Sequence, residues 1–350
     1  MKYRTLGRSG LLVSELCLGA MTFGGGGVWD QIGAVDGHGA KELLAAALDA
    51  GVNLVDTADY YSLGQSETML GAALAALNVP RDRVLIATKG RLRMGDGPND
   101  VGSSRHHLIQ AAEASLKRLG TDYIDLYQLH GFDHVTPIEE SVRALEDLIR
   151  AGKVRYIGFC NFPAWEAMKA MAVCEHLRTN RFISTQVYYN PGLRDFEREL
   201  QPFCLDQGVG ALVWSPLAGG LLTGKYRKNG SGRRNAFDFP PVNGRVLDEL
   251  LAVLDMIATR RDVTVAQVSL AWTLARAGIS SVILGARSVS QLQETLRATE
   301  LVLDETDMAA IDAATPLPPV YPEWMVERQK NDRLPGATAG LIPLKAGENE

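Results

Sequence analysis

The chain has 350 residues, 46% hydrophobic and 22% charged, with a formal net charge of −5. That mix is ordinary for a folded protein, and the length suits roughly two domains or one α/β barrel. The negative balance argues against nucleic acid or an anionic membrane surface as the main partner.

In chain order, "MKYRTLG" and "LLVS", around Arg8–Gly10, predict a hairpin that crosses the bottom of a barrel. "ELCLGAM" then predicts a strand, followed by a loop and the Ala-rich helix "HGAKELLAAALDAG". The same alternation recurs: "VNLVD" before "SETMLGAALAAL", "RVLIATK" before "SRHHLIQAAEASLKRLG", and "YIDLYQLH" before "PIEESVRALEDLIRAG". "VRYIGFCN" precedes "PAWEAMKAMAVCEHL", and "FISTQVYY" precedes "DFERELQPFCLDQG". "VGALVWS" leads into a long loop with later helices, and "SVILG" into "SVSQLQETLRA". Eight apolar strands, each followed by a helical segment, predict a (β/α)8 TIM barrel rather than an open sheet. The expected organisation is one domain over 1–350, with its core at about 15–315 and a tail at 316–350. A Gly-, Pro- and Arg-rich loop at 215–244 and the proline-rich tail are the two long irregular segments.

Cys17, Cys160, Cys174 and Cys204 are too scattered for a zinc or disulfide framework and read as free thiols of a reducing compartment. Glu15 interrupts the apolar stretch near the N-terminus, no cleavage site follows, and no run approaches the ~18 residues of a membrane span. The expected location is cytoplasmic, with no membrane partner.

A barrel carries its chemistry at the C-terminal ends of its strands. Here those ends are Asp56, Lys89, His130, Asn161, Gln186, Trp214 and Gly285. Each has an ordinary structural reading by itself, as a cap, a solvated lysine or a structural histidine. Together, Asp56, Lys89 and His130 give Tyr61 a purpose. A tyrosine hydroxyl, with an unperturbed pKa of about 10, is a poor acid–base group at neutral pH. A neighbouring ammonium is expected to stabilise its phenolate and lower that pKa, with a carboxylate holding the ammonium in place. A histidine nearby orients a carbonyl oxygen or relays a proton.

"NLVDTADYYSLGQSETMLGAAL", "VLIATKG" and "DYIDLYQLHGFD" resemble the aspartate–tyrosine, lysine and histidine segments of the aldo-keto reductase superfamily. "AGKVRYIGFCNF", "STQVYYN", "VWSPLAGGLLTGKY" and "VILGARSVSQLQETL" are similar to its cofactor-binding segments, so the likeness covers nearly the whole chain. It implies hydride transfer between a nicotinamide and a small-molecule carbonyl or alcohol, with Asp56, Tyr61, Lys89 and His130 as the catalytic set. It further implies Trp214 as a stacking platform for the nicotinamide, and Asn161 and Gln186 as partners of its carboxamide. Met21, Asp56, Cys160, Ser215, Pro216, Leu217, Gly219, Leu221, Lys225, Arg234, Gly285, Arg287, Gln291, Glu294 and Thr295 complete the implied cofactor set. Arg233 joins Arg234 as a clasp over the pyrophosphate. Where the family commonly has Ser-Asn this chain has Cys160–Asn161, and a thiol is the weaker hydrogen-bond partner. Thr295 stands where Asn is frequent.

Gly219 to Lys225 almost spells a phosphate-binding P-loop, but Tyr226 stands where that motif needs Ser or Thr. Candidate pocket residues are Phe23, Trp29, Tyr60, Tyr61, Arg91, His130 and Phe132, with the tail around Tyr321–Trp324. Arg287 beside Ser288 at a helix start, and the lack of an acid at 285–293, favour NADP over NAD. Two other functions stay open. One is a cofactor-binding regulatory subunit similar to potassium-channel β subunits. The other is a metal-dependent barrel hydrolase using His130 and His134, although the main reading has no metal. A homo-oligomer also stays open.

Overall fold

Tyr3–Thr5 (β1) and Leu12–Ser14 (β2) pair antiparallel, with Tyr3 opposite Ser14 and Thr5 opposite Leu12, as the sequence predicts. The barrel strands follow: Leu16–Gly19 (β3), Leu54–Asp56 (β4), Leu85–Gly90 (β5), Ile124–Leu129 (β6), Val154–Cys160 (β7), Ser184–Tyr188 (β8), Gly210–Trp214 (β9) and Ile279–Gly285 (β10). They close in the order β10-β3-β4-β5-β6-β7-β8-β9, all parallel. The expected (β/α)8 barrel with an N-terminal hairpin is therefore the observed fold. The computed structural model describes residues 1–26, 29–226, 234, 239–242 and 244–330, with the backbone alone at 245 and 246.

The helices are Gly37–Asp49 (α1), Gln65–Ala76 (α2), Arg105–Leu119 (α3), Ile138–Arg150 (α4), Ala164–Leu177 (α5), Leu200–Gln207 (α6), Gly244–Arg261 (α7), Val265–Leu274 (α8), Val289–Leu296 (α9) and Glu305–Ala314 (α10). Side-chain caps fix several starts: Asp36 for α1, Ser104 for α3 and Ser288 for α9, each accepting an amide hydrogen three residues on. The segment before α6 is shorter than its pattern suggests. Asp195–Glu197 forms a separate 3-10 turn and α6 opens at Leu200, which leaves Pro202 in the first turn, where its missing N–H is tolerated.

Strand alternation stacks the barrel interior in layers. Leu6 and Val13 of the hairpin and Cys17, Leu54, Ala87, Leu126, Leu212 and Ile283 of six strands form one buried apolar cluster. Two residues further along those strands lie Gly19, Asp56, Lys89, Gln128, Trp214 and Gly285, the layer toward the mouth. The hairpin closes the bottom only because residue 7 is glycine. A Cβ there would stand 2.5 Å from the Gly208 oxygen, and φ is +59°. The outward-facing side chains, such as Ile86, Tyr127 and Phe159, form the second core beneath the helices.

The chain divides into two units, Met1–Thr315 and Pro316–Glu350. The second is not all loop: Glu323–Gln329 forms a short helix (α11) with Pro322 at its N-cap. Among the described residues no helix is long and apolar enough to cross a membrane. The four cysteines are all free and buried.

Candidate active site

The layer nearest the mouth is polar where three neighbouring strands meet. Lys89 is fully buried, and its Nζ donates to Asp56 Oδ2 at 2.6 Å, to the Thr57 carbonyl at 2.9 Å and to the Tyr61 hydroxyl at 3.1 Å. The other Asp56 oxygen, Oδ1, accepts from Gln186 Nε2 at 2.8 Å and from Gln128 Nε2 at 3.4 Å. Both Asp56 oxygens are thus satisfied, which a buried carboxylate requires. The His130 ring stands edge-on to Tyr61, with centroids 5.7 Å apart. All four residues of the expected catalytic set meet at one place.

Backbone geometry delivers Tyr61 there. Past the end of β4 the chain keeps bonding to β5, through Thr57 N to Ala87 O at 2.8 Å and Asp59 N to Lys89 O at 3.2 Å. Ser62 and Leu63 then take left-handed φ values of 48° and 52° before α2 begins. Thr57 and Ser66 share a hydroxyl hydrogen bond of 2.8 Å that ties the turn to the helix start. Arg91, Asn161 and Ser215, which also follow barrel strands, have φ of 128°, 55° and 50°. Such conformations cost about 1–3 kcal/mol each for non-glycine residues, so strain collects around this mouth.

Burial and charge set the protonation states. Burial raises the Tyr61 hydroxyl to about 12; Lys89 pulls the other way but does not win. Lys89 thus acts in the expected direction, but the sequence did not show that desolvation of the phenolate exceeds the attraction of the ammonium. Burial also works against the Lys89 ammonium, yet Asp56, Tyr61 and Cys160 together outweigh it and hold the lysine above its usual value. His130 is pushed well below the ordinary histidine value by burial and by the charges of Lys89 and Arg91, and it is neutral at pH 7. Its Nδ1 is buried with no hydrogen-bond partner.

Trp214, at the end of β9, stacks with Tyr188 (4.7 Å) and Phe239 (5.9 Å), and its Nε1 donates to Asn161 Oδ1 at 3.0 Å. Gln186 turns its amide nitrogen to Asp56 rather than toward the mouth. Cys160 is buried, its Sγ 3.8 Å from Gln128 Oε1, and burial raises its thiol. After β9, Ser215 Oγ accepts from Gly219 N at 3.1 Å, and Ala218–Thr223 forms 3-10 turns. This is a strand followed by irregular turns, not the strand–loop–helix of a P-loop. Met21 lies in a 3-10 turn after β3. Gly285, Arg287 and Gln291 are exposed around the start of α9, and Glu294 is exposed in its last turn; Arg287 N donates to Gln291 Oε1, and Arg287 Nη2 to the Gln31 carbonyl at 2.5 Å. Thr295 Oγ1 is engaged by the Gln291 carbonyl. Arg234 Nη1 donates to the Pro240 carbonyl, whereas Arg233 lies outside the described residues.

Of the pocket candidates, Trp29 packs edge-on to Tyr60 (5.3 Å) and Tyr61 (6.2 Å), and Phe132 packs against His134 and Phe162. Phe23 is fully buried in the core beneath the helices, not on this rim. No group of three or more His, Cys, Asp or Glu placed to hold a metal ion occurs among the described residues. Sequence reasoning overlooked Gln128. Its signal was present, since a glutamine two residues before His130 on an apolar strand must face the same interior.

The aldo/keto reductase family model matches residues 15–316. The chain is 37% identical to the uncharacterised oxidoreductase YrpG of Bacillus subtilis, over 91% of this chain and 97% of that protein. It is 35% identical to versiconal hemiacetal acetate reductase of Aspergillus parasiticus, over 89% and 96%. It is 37% identical to a "Probable voltage-gated potassium channel subunit beta" of Arabidopsis thaliana, over 86% and 92%.

Proposed function

The chain belongs to the aldo/keto reductase family, and from that premise we propose an NADP(H)-dependent oxidoreductase of aldehydes, ketones and secondary alcohols. One observation carries the reading: Lys89 Nζ lies between Asp56 Oδ2 and the Tyr61 hydroxyl, hydrogen-bonded to both. The residues at the mouth fit a nicotinamide dinucleotide. Trp214 offers an aromatic ring and Asn161 an exposed amide. Gly219 and Gly220, at φ of 68° and 96°, bring bare backbone close to Lys225. Arg287 and Ser288 flank the start of α9, where the helix dipole favours an anion. When bound, the nicotinamide supplies or accepts the hydride.

The protein's own part is the proton. Tyr61 keeps its hydroxyl hydrogen at neutral pH and is set to donate it to a carbonyl oxygen. Lys89, held charged by Asp56, then stabilises the phenolate left behind. In the oxidising direction the same phenolate takes the proton from the alcohol. Neutral His130 beside Tyr61 orients the oxygen by hydrogen bonding without adding a competing charge. Trp29 and Phe132 supply apolar walls that favour hydrophobic carbonyls over free sugars.

Absorbance at the reduced-nicotinamide band, screened over diverse aldehydes, ketones and alcohols, tests the reading. The likeness to a channel β subunit supports a second one, a regulatory subunit that binds cofactor and turns over slowly. Tight cofactor binding without turnover across the panel decides for the second. For cofactor choice, Arg287→Ala weakens NADPH by roughly 1.5–3 kcal/mol and leaves NADH nearly unchanged. Equal loss for both cofactors, or a wild type that prefers NADH, overturns NADP preference.

A further inference from the structure

Arg91 follows β5 directly, two residues beyond Lys89, and holds a φ of 128° that L side chains rarely adopt. Its carbonyl accepts from Gly102 N at 2.8 Å, and its Nη2 donates to the Phe132 carbonyl at 2.8 Å. These two anchors fix a half-buried guanidinium beside His130, whose imidazole feels its charge. No carboxylate offsets that charge: among the described residues Arg91 has no ion-pair partner. The nearest acid in sequence past His130, Asp133, is committed elsewhere, accepting from Ser103 N, Val135 N and Thr136 Oγ1. Arg91 Nε is buried with no acceptor at all. A half-buried guanidinium with no carboxylate partner leaves its charge available to an anion brought from outside the chain.

Lys89 presents no such vacancy, because Asp56 already balances it. Arg91 is also misplaced for the cofactor's phosphates. It follows β5, whereas the residues fitted to those phosphates follow β9 and β10, with β3 and β4 between β10 and β5 on one side of the ring and β6, β7 and β8 between β5 and β9 on the other. What lies close is the aromatic wall, Phe132 with His134 and Phe162, and Tyr61 against the His130 ring. We propose that Arg91 recognises an anionic group on the substrate, so that the preferred substrate is an aromatic aldehyde or ketone carrying a carboxylate. This rests on the oxidoreductase reading above. The carbonyl oxygen sits at Tyr61 and His130, the ring runs along the aromatic wall, and the carboxylate completes Arg91.

The test uses matched pairs: 4-carboxybenzaldehyde against methyl 4-formylbenzoate, and the corresponding 3-substituted pair. Wild type prefers the acid of at least one pair. In Arg91→Met the acid-to-ester ratio of kcat/KM falls roughly 10- to 100-fold, the range of one charge-assisted hydrogen bond, mainly through KM. Arg91→Lys recovers part of the ratio. An unchanged ratio, equal loss on acid and ester, or a wild type indifferent to the carboxylate overturns the proposal. Dissociation constants of the non-reducible 4-carbamoylbenzoate and terephthalamide separate this from the broader reading. A carboxylate preference in binding that Arg91→Met abolishes, with no carbonyl turned over, upholds Arg91 and refutes the oxidoreductase. Turnover of both aldehydes with no such preference does the reverse.

Discussion

Thr88 and Lys89 are consecutive residues of β5 and serve two buried polar layers that face opposite sides of the barrel wall. Inside, Lys89 meets Asp56, and Gln186 and Gln128 satisfy the remaining carboxylate oxygen. Outside, Thr88 donates to Glu67 of α2 at 2.5 Å, and Arg118 of α3 donates to the other Glu67 oxygen at 2.6 Å. Asp59, three residues past Asp56, is also buried, but neither of its carboxyl oxygens has a partner. Burial, and then the negative charge of Glu67, raise Asp59 from an ordinary 3.8 to about 8. Two aspartates of one short segment therefore differ in kind. At Asp59 burial acts on a carboxyl without a partner, whereas at Asp56 the same burial is met by an ammonium and two amide donors at hydrogen-bond distance.

Removing the inner cation is the most severe way to break this contrast. Lys89→Met leaves Asp56 buried without its countercharge and costs about 3–5 kcal/mol of unfolding free energy, read by chemical denaturation. In the oxidising direction it also moves the onset of activity to higher pH, since the phenolate loses its ammonium. Retained stability together with an unchanged pH profile removes Lys89 from both roles.

Tyr61→Phe deletes one hydroxyl and leaves the ion pair. Turnover falls about 10²- to 10⁴-fold, with cofactor affinity nearly intact. Tyr60→Phe is mild by comparison. A reversal of these two effects puts the acid–base residue one position earlier.

The outer layer answers to pH. Folded Asp59 keeps its proton until about pH 8, whereas the unfolded chain releases it near the ordinary 3.8. Wild-type stability thus declines as pH rises between those values, by at most about 1.4 kcal/mol per pH unit from this group. Asp59→Asn removes that decline, so its advantage over wild type grows from pH 5 to pH 8 and levels off above. Parallel stability curves for the two proteins break the comparison.

Arg118→Met is the smallest change. It strips one partner from fully buried Glu67, yet Thr88 remains and the arginine is itself 24% exposed at its side chain. A loss of about 1 kcal/mol is expected, below that of Lys89→Met. A loss as large as for Lys89→Met makes the two layers equivalent.

The alternation of apolar strands and helical segments predicts the barrel, because a parallel strand covered on both faces has to be apolar throughout. Strand periodicity also makes the inner network legible: Asp56, Lys89 and His130 end successive strands, so they share a mouth whatever the loops do. The same rule applies to Gln128. Sequence could not announce the outer layer, since the partner of Thr88 and the burial of Asp59 beside Glu67 depend on how α2 and α3 settle on the wall. Nor could it show that Phe23 turns into the core, that burial outweighs Lys89 at Tyr61, or that Arg91 takes a φ of 128°. Those outcomes are set by contacts between residues far apart in the chain, and desolvation arises only once the barrel has closed around them.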